Sequence, residues 1–288
     1  MRSFFYKNCV LIVIIFFTLI VKINILLNLT NFLRERKMRI ILTLALFLSF
    51  GVIADGHEAD EPKYKANKAE YYVNVFKDGK DMDDLMKWSM KWKKWASEGE
   101  PGEVFKNYKA AILVPYYGHS LNTFDAIWVG VSPDPEEHYV GNEYWMKNGT
   151  KLFNELPVTF PQVIDTWQRT VSETPDGSAG YIVYSDCKLG EGVTNEQFYD
   201  AYFAYAEAAK KNGDVAGRKM IWPQTGVEPG WDFDFVQAVM TSSIGEYGKN
   251  WTNFWSEKAD TLPEAKAMAA LGGSCTNERS FSIVPVKS

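Results

Sequence analysis

The sequence predicts an α+β fold made of two tandem βαββαβ units. The main observation is a repeated pattern in which an apolar run leads into Pro-x-x-Gly and a second apolar run opens on Phe-Asp. The first copy spans residues 110–125 and the second spans residues 218–234. Each copy is typical of two strands joined by a bend, and the spacing of about 109 residues is close to the length of a small domain.

Composition and charge limit the kinds of partner. The chain has 288 residues, of which 46% are apolar and 15% aromatic, and its formal net charge is −5. Residues 1–54 hold seven basic residues and one acidic residue, which leaves 24 Lys and Arg against 35 Asp and Glu, a charge of −11, in the remainder. Because an acidic body repels phosphate backbones, we expect no nucleic-acid partner. The aromatic residues are typical of an aromatic core or of a pocket for an apolar or ring-shaped ligand.

The N-terminal region has the pattern of a targeting segment. Residues 38–54 combine a basic start, an apolar run and a small-residue end, which predicts a secretory signal peptide. Residues 1–37 are either an upstream extension that is not translated or a membrane-spanning segment. Residues 55–70 are charged and lack periodicity, which predicts a flexible lead-in. We therefore expect a periplasmic or secreted protein without stable membrane contact after processing.

The first unit is predicted to span residues 71–171. A strand at 71–76 is followed by a turn and by a helix that Asp81 caps at its N-terminus. An apolar stripe recurs along this helix at steps of three and four, at Leu85, Trp88, Trp92 and Trp95. This spacing predicts one buried helix face. A hairpin, a second helical region and a closing strand at about 163–171 complete the unit.

The second strand of this hairpin has two contrasting faces. Trp128 shares one face with Phe124, Ala126 and Gly130, whereas the other face carries Ile127, Val129 and Val131. A purely aliphatic face suits packing under helices. We therefore expect the face with Trp128 to line a cavity.

The second unit is predicted to span residues 181–288, after a Pro/Gly/Ser linker at 172–180. Thr194 and Gln197 form a capping box for its first helix. A hairpin, a second helical region and a closing strand at 278–286 then follow, so the element order of the first unit is repeated.

A βαββαβ unit most often folds as a ferredoxin-like sheet of strand order 4-1-3-2 with both helices on one face. The bare face must be covered, and two tandem copies can cover each other. The predicted fold class is therefore two ferredoxin-like repeats packed sheet to sheet as a single-chain α+β barrel.

This element order, together with the repeated hairpins Pro115-x-x-Gly118 and Pro223-x-x-Gly226, resembles the dimeric α+β barrel superfamily in a fused form. That superfamily includes antibiotic-biosynthesis-monooxygenase-like, EthD-like and NIPSNAP-like proteins. The resemblance covers roughly residues 71–288 and concerns the fold, so an activity inferred from it is analogy.

The cysteines predict a cross-link in the second unit. Cys9 lies in the N-terminal region, which leaves Cys187 just after the first strand of the unit and Cys275 just before its last strand. In a sheet of order 4-1-3-2 these strands are antiparallel neighbours, so both cysteines lie at the same edge. In an oxidising compartment we expect them to form a disulfide.

Chemistry-bearing motifs are few. The sequence contains no His-x-x-Glu-His motif, no Gly-x-Ser-x-Gly motif and no Gly-rich phosphate loop. The resemblance implies either a cofactor-free oxygenase or isomerase with an aromatic cavity, or haem bound through a helical histidine. His119 is then the candidate proton-transfer group and His138 the candidate haem ligand. The candidate ligand-binding residues are Tyr117, His119, Trp128, Trp222 and Gln237.

Three functions follow from these observations. The first is a non-catalytic or weakly catalytic binder of a small apolar or aromatic molecule between the repeats, without a cofactor. The second is a cofactor-independent monooxygenase or isomerase, and the third is a haem-binding protein. The sequence does not decide whether the protein is an enzyme, nor whether it is a monomer or a homodimer.

Overall fold

The computed structural model describes residues 65–119 and 121–288. The predictions for residues 1–54, for Cys9 and for the first part of the lead-in fall outside the described residues. The strands are β1 (Asn67–Phe76), β2 (Lys109–Tyr117), β3 (Ala126–Ser132), β4 (Val158–Ser172), β5 (Tyr181–Lys188), β6 (Gly217–Thr225), β7 (Phe235–Thr241) and β8 (Ser274–Lys287). The α-helices are α1 (Met82–Trp95), α2 (Gly99–Val104), α3 (Pro135–Asn148), α4 (Thr150–Asn154), α5 (Asn195–Lys211), α6 (Ile244–Ser256) and α7 (Pro263–Ala269).

The eight strands form one antiparallel sheet that closes into a barrel. Their order around the barrel is β1-β3-β2-β8-β5-β7-β6-β4. The α+β class and the barrel predicted from the element order are confirmed. In the first half of the chain the strands lie in the order β4-β1-β3-β2, and in the second half they lie in the order β8-β5-β7-β6.

The two halves are joined through their edges rather than stacked as two separate sheets. β2 pairs with β8, and β4 pairs with β6, so hydrogen bonds run continuously around the barrel. Pro115 on β2 and Pro223 on β6 both lie in these joining strands, each beside a register irregularity. A proline cannot donate to the strand ladder, so a place beside an irregularity is where a strand tolerates it.

The repeated Phe-Asp pair has the same role in both halves. Asp125 receives a hydrogen bond on Oδ2 from the backbone N of Phe76, at 2.7 Å, and Asp234 receives one on Oδ2 from the backbone N of Leu189, also at 2.7 Å. The backbone N–H of each aspartate in turn donates to a carbonyl on the neighbouring strand. Both aspartates therefore close the end of the adjacent strand and are exposed, as a structural role requires.

The helix caps follow the sequence. Oδ1 of Asp81 accepts a hydrogen bond from the backbone N of Asp84 at 3.1 Å, and Thr194 with Gln197 forms the expected capping box of α5. Both cap predictions are confirmed. Among the residues that the structure describes, none of the helices has the length and apolarity needed to cross a membrane.

Strand β1 begins earlier than predicted. It starts at Asn67, so residues 67–70 belong to the sheet and not to a flexible lead-in. Lys68 and Glu70 are buried on one strand face, on which Tyr72 is half-buried, while Ala69 is buried on the other. The sequence prediction was wrong here because two charged residues conceal the alternating pattern of a strand that is covered on both faces.

The faces of β3 are opposite to the prediction. Trp128 packs in a core cluster with helix α1, whereas Val129 packs with Ile127 and Val131 in a cluster that draws on strands of both halves. This second cluster contains no helical residue and therefore occupies the barrel interior. The prediction was wrong because both faces of a covered strand are apolar, so their polarity does not distinguish inside from outside.

Cys187 and Cys275 form a disulfide between β5 and β8, whose residues are aligned at this position. Cys187 is fully buried and Cys275 is exposed. The bond therefore connects the core of the second half to its surface, where β8 begins.

Candidate functional site

A partly open cavity lies between the first-half strands and the helices that cover them. It has a volume of about 80 Å³. Its apolar wall consists of Leu85, Trp88, Trp92, Phe105, Trp128, Trp145, Phe153, Leu156, Val158 and Phe160. Its polar lining consists of Glu70, Tyr72, Asn74, Tyr108 and Asn142. Phe153 is 51% exposed, so the cavity approaches solvent beside helix α4.

Glu70 is the carboxylate in this lining. Its side chain comes from the middle of β1, and the residue is only 6% exposed. The hydroxyl of Tyr108 donates to Oε1 at 2.7 Å, and the hydroxyl of Tyr72 donates to Oε2 at 3.1 Å. The indole N–H of Trp128 lies 3.3 Å from the Tyr108 hydroxyl oxygen, to which it donates. The Tyr108 and Tyr72 hydroxyls thus fix the position of the Glu70 carboxylate in the cavity lining, and the Trp128 indole in turn fixes Tyr108.

Gly130 makes this arrangement possible. It lies directly opposite Glu70 on the neighbouring strand β3. A Cβ atom at this position would lie 1.6 Å from the Tyr108 hydroxyl oxygen, so a side chain of any kind would displace that ring. The bare backbone therefore provides the space in which Tyr108 crosses the strand and reaches Glu70.

The two phenols are held in their neutral form. Burial raises the pKa of Tyr108, and the neighbouring Glu70 carboxylate raises it further. Burial and Glu70 raise the pKa of Tyr72 in the same way. Both groups therefore keep their protons at neutral pH and act as hydrogen-bond donors to Glu70.

A cluster of polar side chains, made of Lys68, Asp165 and Gln224, lies beside the cavity. The Nζ atom of Lys68 lies 2.5 Å from Oδ1 of Asp165 and 2.9 Å from Oε1 of Gln224, and the Lys68 side chain is fully buried. His138 on α3 lies next to this pair, with its Nε2 atom 3.8 Å from Asp165 Oδ1. Asn142 lines the cavity and contacts His138 Nε2 through Nδ2 at 3.2 Å, so it connects the two polar groups.

His138 makes the stability of the fold depend on pH. Burial lowers its pKa, Glu70 and Asp165 act in the opposite direction, and Lys68 lowers it further. A histidine in the unfolded chain has a pKa near 6.5 and so binds a proton before the folded one does. The free energy of unfolding therefore falls as the pH drops below about 6.5, by at most about 1.4 kcal/mol per pH unit for this group.

We expect His138→Gln to remove this contribution. Urea unfolding at pH 8 and pH 5 should show a larger destabilisation by the substitution at pH 8, where the wild-type imidazole is neutral, than at pH 5. The same destabilisation at both pH values would contradict the proposed environment of His138.

The surroundings of His138 do not fit a haem ligand. A ligating imidazole must direct a nitrogen lone pair at the iron. Here Nδ1 lies 3.3 Å from Ser132 Oγ and Nε2 contacts Asn142, and the residue is 2% exposed. His138 also does not line the cavity. The expectation of haem bound through His138 is therefore not supported by the geometry of this chain.

The structure separates the other predicted ligand-binding residues. Of these, Trp128 lines the cavity, but on the helix side of the sheet rather than between the repeats. Trp222 packs in the second-half core, where its indole N–H donates to Asn195 Oδ1 at 2.9 Å. Gln237 lies on β7, which also belongs to the second half.

The two remaining candidates lie at the exposed end of β2. Tyr117 is 64% exposed and packs edge-on against Tyr116. His119 lies in the bend after β2, is exposed and does not line the cavity. The cavity in the first half therefore does not include His119, and a proton-transfer role for His119 stays a prediction.

Comparisons with known proteins concern the fold alone. No protein-family model matches the sequence, and no curated protein matches it. A mutant chlorite dismutase from Candidatus Nitrospira defluvii is 10% identical with a TM-score of 0.45, over 76% of this chain and 92% of its own. The same enzyme in complex with imidazole is 12% identical with a TM-score of 0.44, over 76% and 92% of the two chains. A proposed monooxygenase from Lactobacillus acidophilus NCFM is 10% identical with a TM-score of 0.44, over 77% and 95%.

Proposed function

We propose that the protein binds a small, mainly apolar or aromatic molecule in the cavity of its first half. The observation that carries this proposal is the buried carboxylate of Glu70 at the floor of an otherwise aromatic cavity. A pocket with an apolar wall and a few convergent polar groups is the usual form of a small-molecule site. The site lies under helices α1, α3 and α4 and not in the barrel between the repeats.

The size of the cavity limits the ligand. Its volume of about 80 Å³ exceeds the roughly 10–15 Å³ that a single water needs, and is about half that of an engineered cavity of roughly 150 Å³ that binds benzene. The ligand is therefore a molecule of a few heavy atoms, or a single ring admitted by small shifts of the surrounding side chains. A macrocycle does not fit this volume.

Cofactor-independent proton transfer is the second candidate function. It is favoured by the position of Glu70, whose carboxylate lines the cavity and lies within reach of a molecule bound there. In this case Glu70 takes the role that the sequence suggested for His119. Exchange of a substrate C–H proton with deuterated solvent, lost in Glu70→Gln, would distinguish a catalyst from a binder.

We also propose a periplasmic or secreted location and an origin by duplication. The predicted signal peptide at 38–54 and the Cys187–Cys275 disulfide support the location, because disulfides persist in oxidising compartments. The same strand order in the two halves, and the equivalent bonds of Asp125 and Asp234, support an origin as two ferredoxin-like repeats.

The binding proposal is tested with toluene as the probe, measured by isothermal titration. We expect wild-type protein to bind toluene and Val158→Phe, which adds a ring to the cavity wall, to bind it at least tenfold more weakly. Val163→Phe is the matched control, since Val163 lies on the same strand and is 40% exposed outside the cavity. Equal losses in both variants would contradict the proposal, as would a wild-type protein that binds neither toluene nor an aromatic amine of similar size.

A further inference from the structure

The charge of Glu70 has no protein partner of opposite sign. None of the ion pairs formed by the described residues includes Glu70, and its two hydrogen-bond partners are neutral phenols. Lys68, a buried cation two residues before Glu70 on β1, is instead paired with Asp165. Burying a carboxylate without a counter-charge costs free energy, so a positively charged ligand in the cavity would be stabilised by Glu70.

A second acceptor lies on the same strand face. Asn74 is 1% exposed and lines the cavity, and its Oδ1 atom has no hydrogen-bond partner among the described residues. Buried polar atoms in folded proteins are almost always hydrogen-bonded, so an unpaired acceptor at a cavity wall indicates a donor that arrives with a ligand. Glu70 and Asn74 lie four residues apart on β1, about 13 Å along the strand, and both side chains line the cavity.

The remaining wall suits a cation as well. The ring centroid of Trp128 lies 5.8 Å from that of Trp88 and 4.9 Å from that of Trp92, and all three rings line the cavity. The faces of tryptophan rings attract cations, and this attraction is largest where water is excluded. The wall thus combines aromatic surface with two acceptors, and it contains no lysine or arginine.

We propose that the ligand of this cavity is a small organic cation, an amine whose ammonium group pairs with Glu70 and whose apolar part lies against the tryptophans. This inference rests on the proposed binding function and specifies its ligand class. A carboxylate ligand would be repelled by the Glu70 charge, and a neutral hydrocarbon would leave that charge without a counter-charge and Asn74 Oδ1 without a donor. An amine supplies the missing positive charge together with N–H donors.

The experiment compares three probes of similar shape on the full-length protein at pH 7: benzylamine, toluene and benzoate. We expect benzylamine to bind at least tenfold more tightly than toluene, and benzoate not to bind. In Glu70→Gln the preference for benzylamine over toluene should disappear while toluene binding persists. The matched control is Glu155→Gln, which removes an exposed carboxylate of the same half and should keep the preference.

Each result has a separate meaning. Toluene binding equal to or tighter than benzylamine binding in the wild type overturns the amine inference and leaves the proposed binding function standing. Binding of none of the three probes overturns both. If Glu70→Gln does not fold, the ratio of the two wild-type affinities still decides the inference. A preference for benzylamine that survives in a folded Glu70→Gln protein also overturns it, because the charge of Glu70 would then have no part in recognition.

Discussion

Trp92→Ala is expected to destabilise the protein by about 3–5 kcal/mol, the usual range for truncating a buried tryptophan. Trp92 is 4% exposed and its ring contacts three other aromatic rings, those of Phe105, Tyr108 and Trp128, at centroid distances of 4.9–6.1 Å. Removal of the indole extends the existing cavity, so the surrounding side chains lose contacts that water does not restore.

The measurement is the free energy of unfolding from urea denaturation followed by circular dichroism. Trp255→Ala is the matched control, because Trp255 is 65% exposed on helix α6 and its removal should change stability by no more than about 0.5 kcal/mol. Equal effects of the two substitutions would contradict the assignment of Trp92 to the core of the first half.

The second large effect is expected from the disulfide. Replacement of both Cys187 and Cys275 by serine should lower the free energy of unfolding by about 2–5 kcal/mol. The bond closes a loop with a sequence separation of 88 residues, and it joins the first strand of the second half to the last strand of the chain. Its loss therefore increases the freedom of a long segment in the unfolded state.

The control for the disulfide prediction is reduction of the bond in the wild-type protein. Dithiothreitol should shift the urea midpoint of the wild-type protein towards that of the double variant and should leave the double variant unchanged. A wild-type midpoint that does not respond to reductant, together with a double variant of wild-type stability, would contradict a structural role for the bond.

Much of the architecture was predictable because it depends on local patterns. The element order came from apolar periodicity, and the ends of α1 and α5 came from Asp81 and Thr194, whose side chains can accept backbone hydrogen bonds. The proximity of Cys187 and Cys275 followed from a strand order that is common for this sequence of elements. Predicting these features does not require knowing which residues contact each other across the core.

The site was predicted poorly because it depends on which face of each strand the helices cover. Trp128 was expected in a cavity between the repeats and lies on the helix side of the sheet, because alternation along β3 does not tell which apolar face lies inside the barrel. Glu70 was missed because it was assigned to a charged lead-in. A signal was present: Lys68, Glu70, Tyr72 and Asn74 occupy every second position and alternate with apolar residues.

The position of the cavity is the central claim, and two-dimensional ¹H–¹⁵N NMR of the tryptophan indole groups tests it most directly. Addition of toluene should shift the indole signals of Trp88, Trp92 and Trp128, assigned by single substitutions to phenylalanine, because these three rings line the cavity. The indole signal of Trp222, which packs in the second-half core, should not move. Shifts at Trp222 without shifts at the three cavity tryptophans would place the ligand elsewhere and contradict this account.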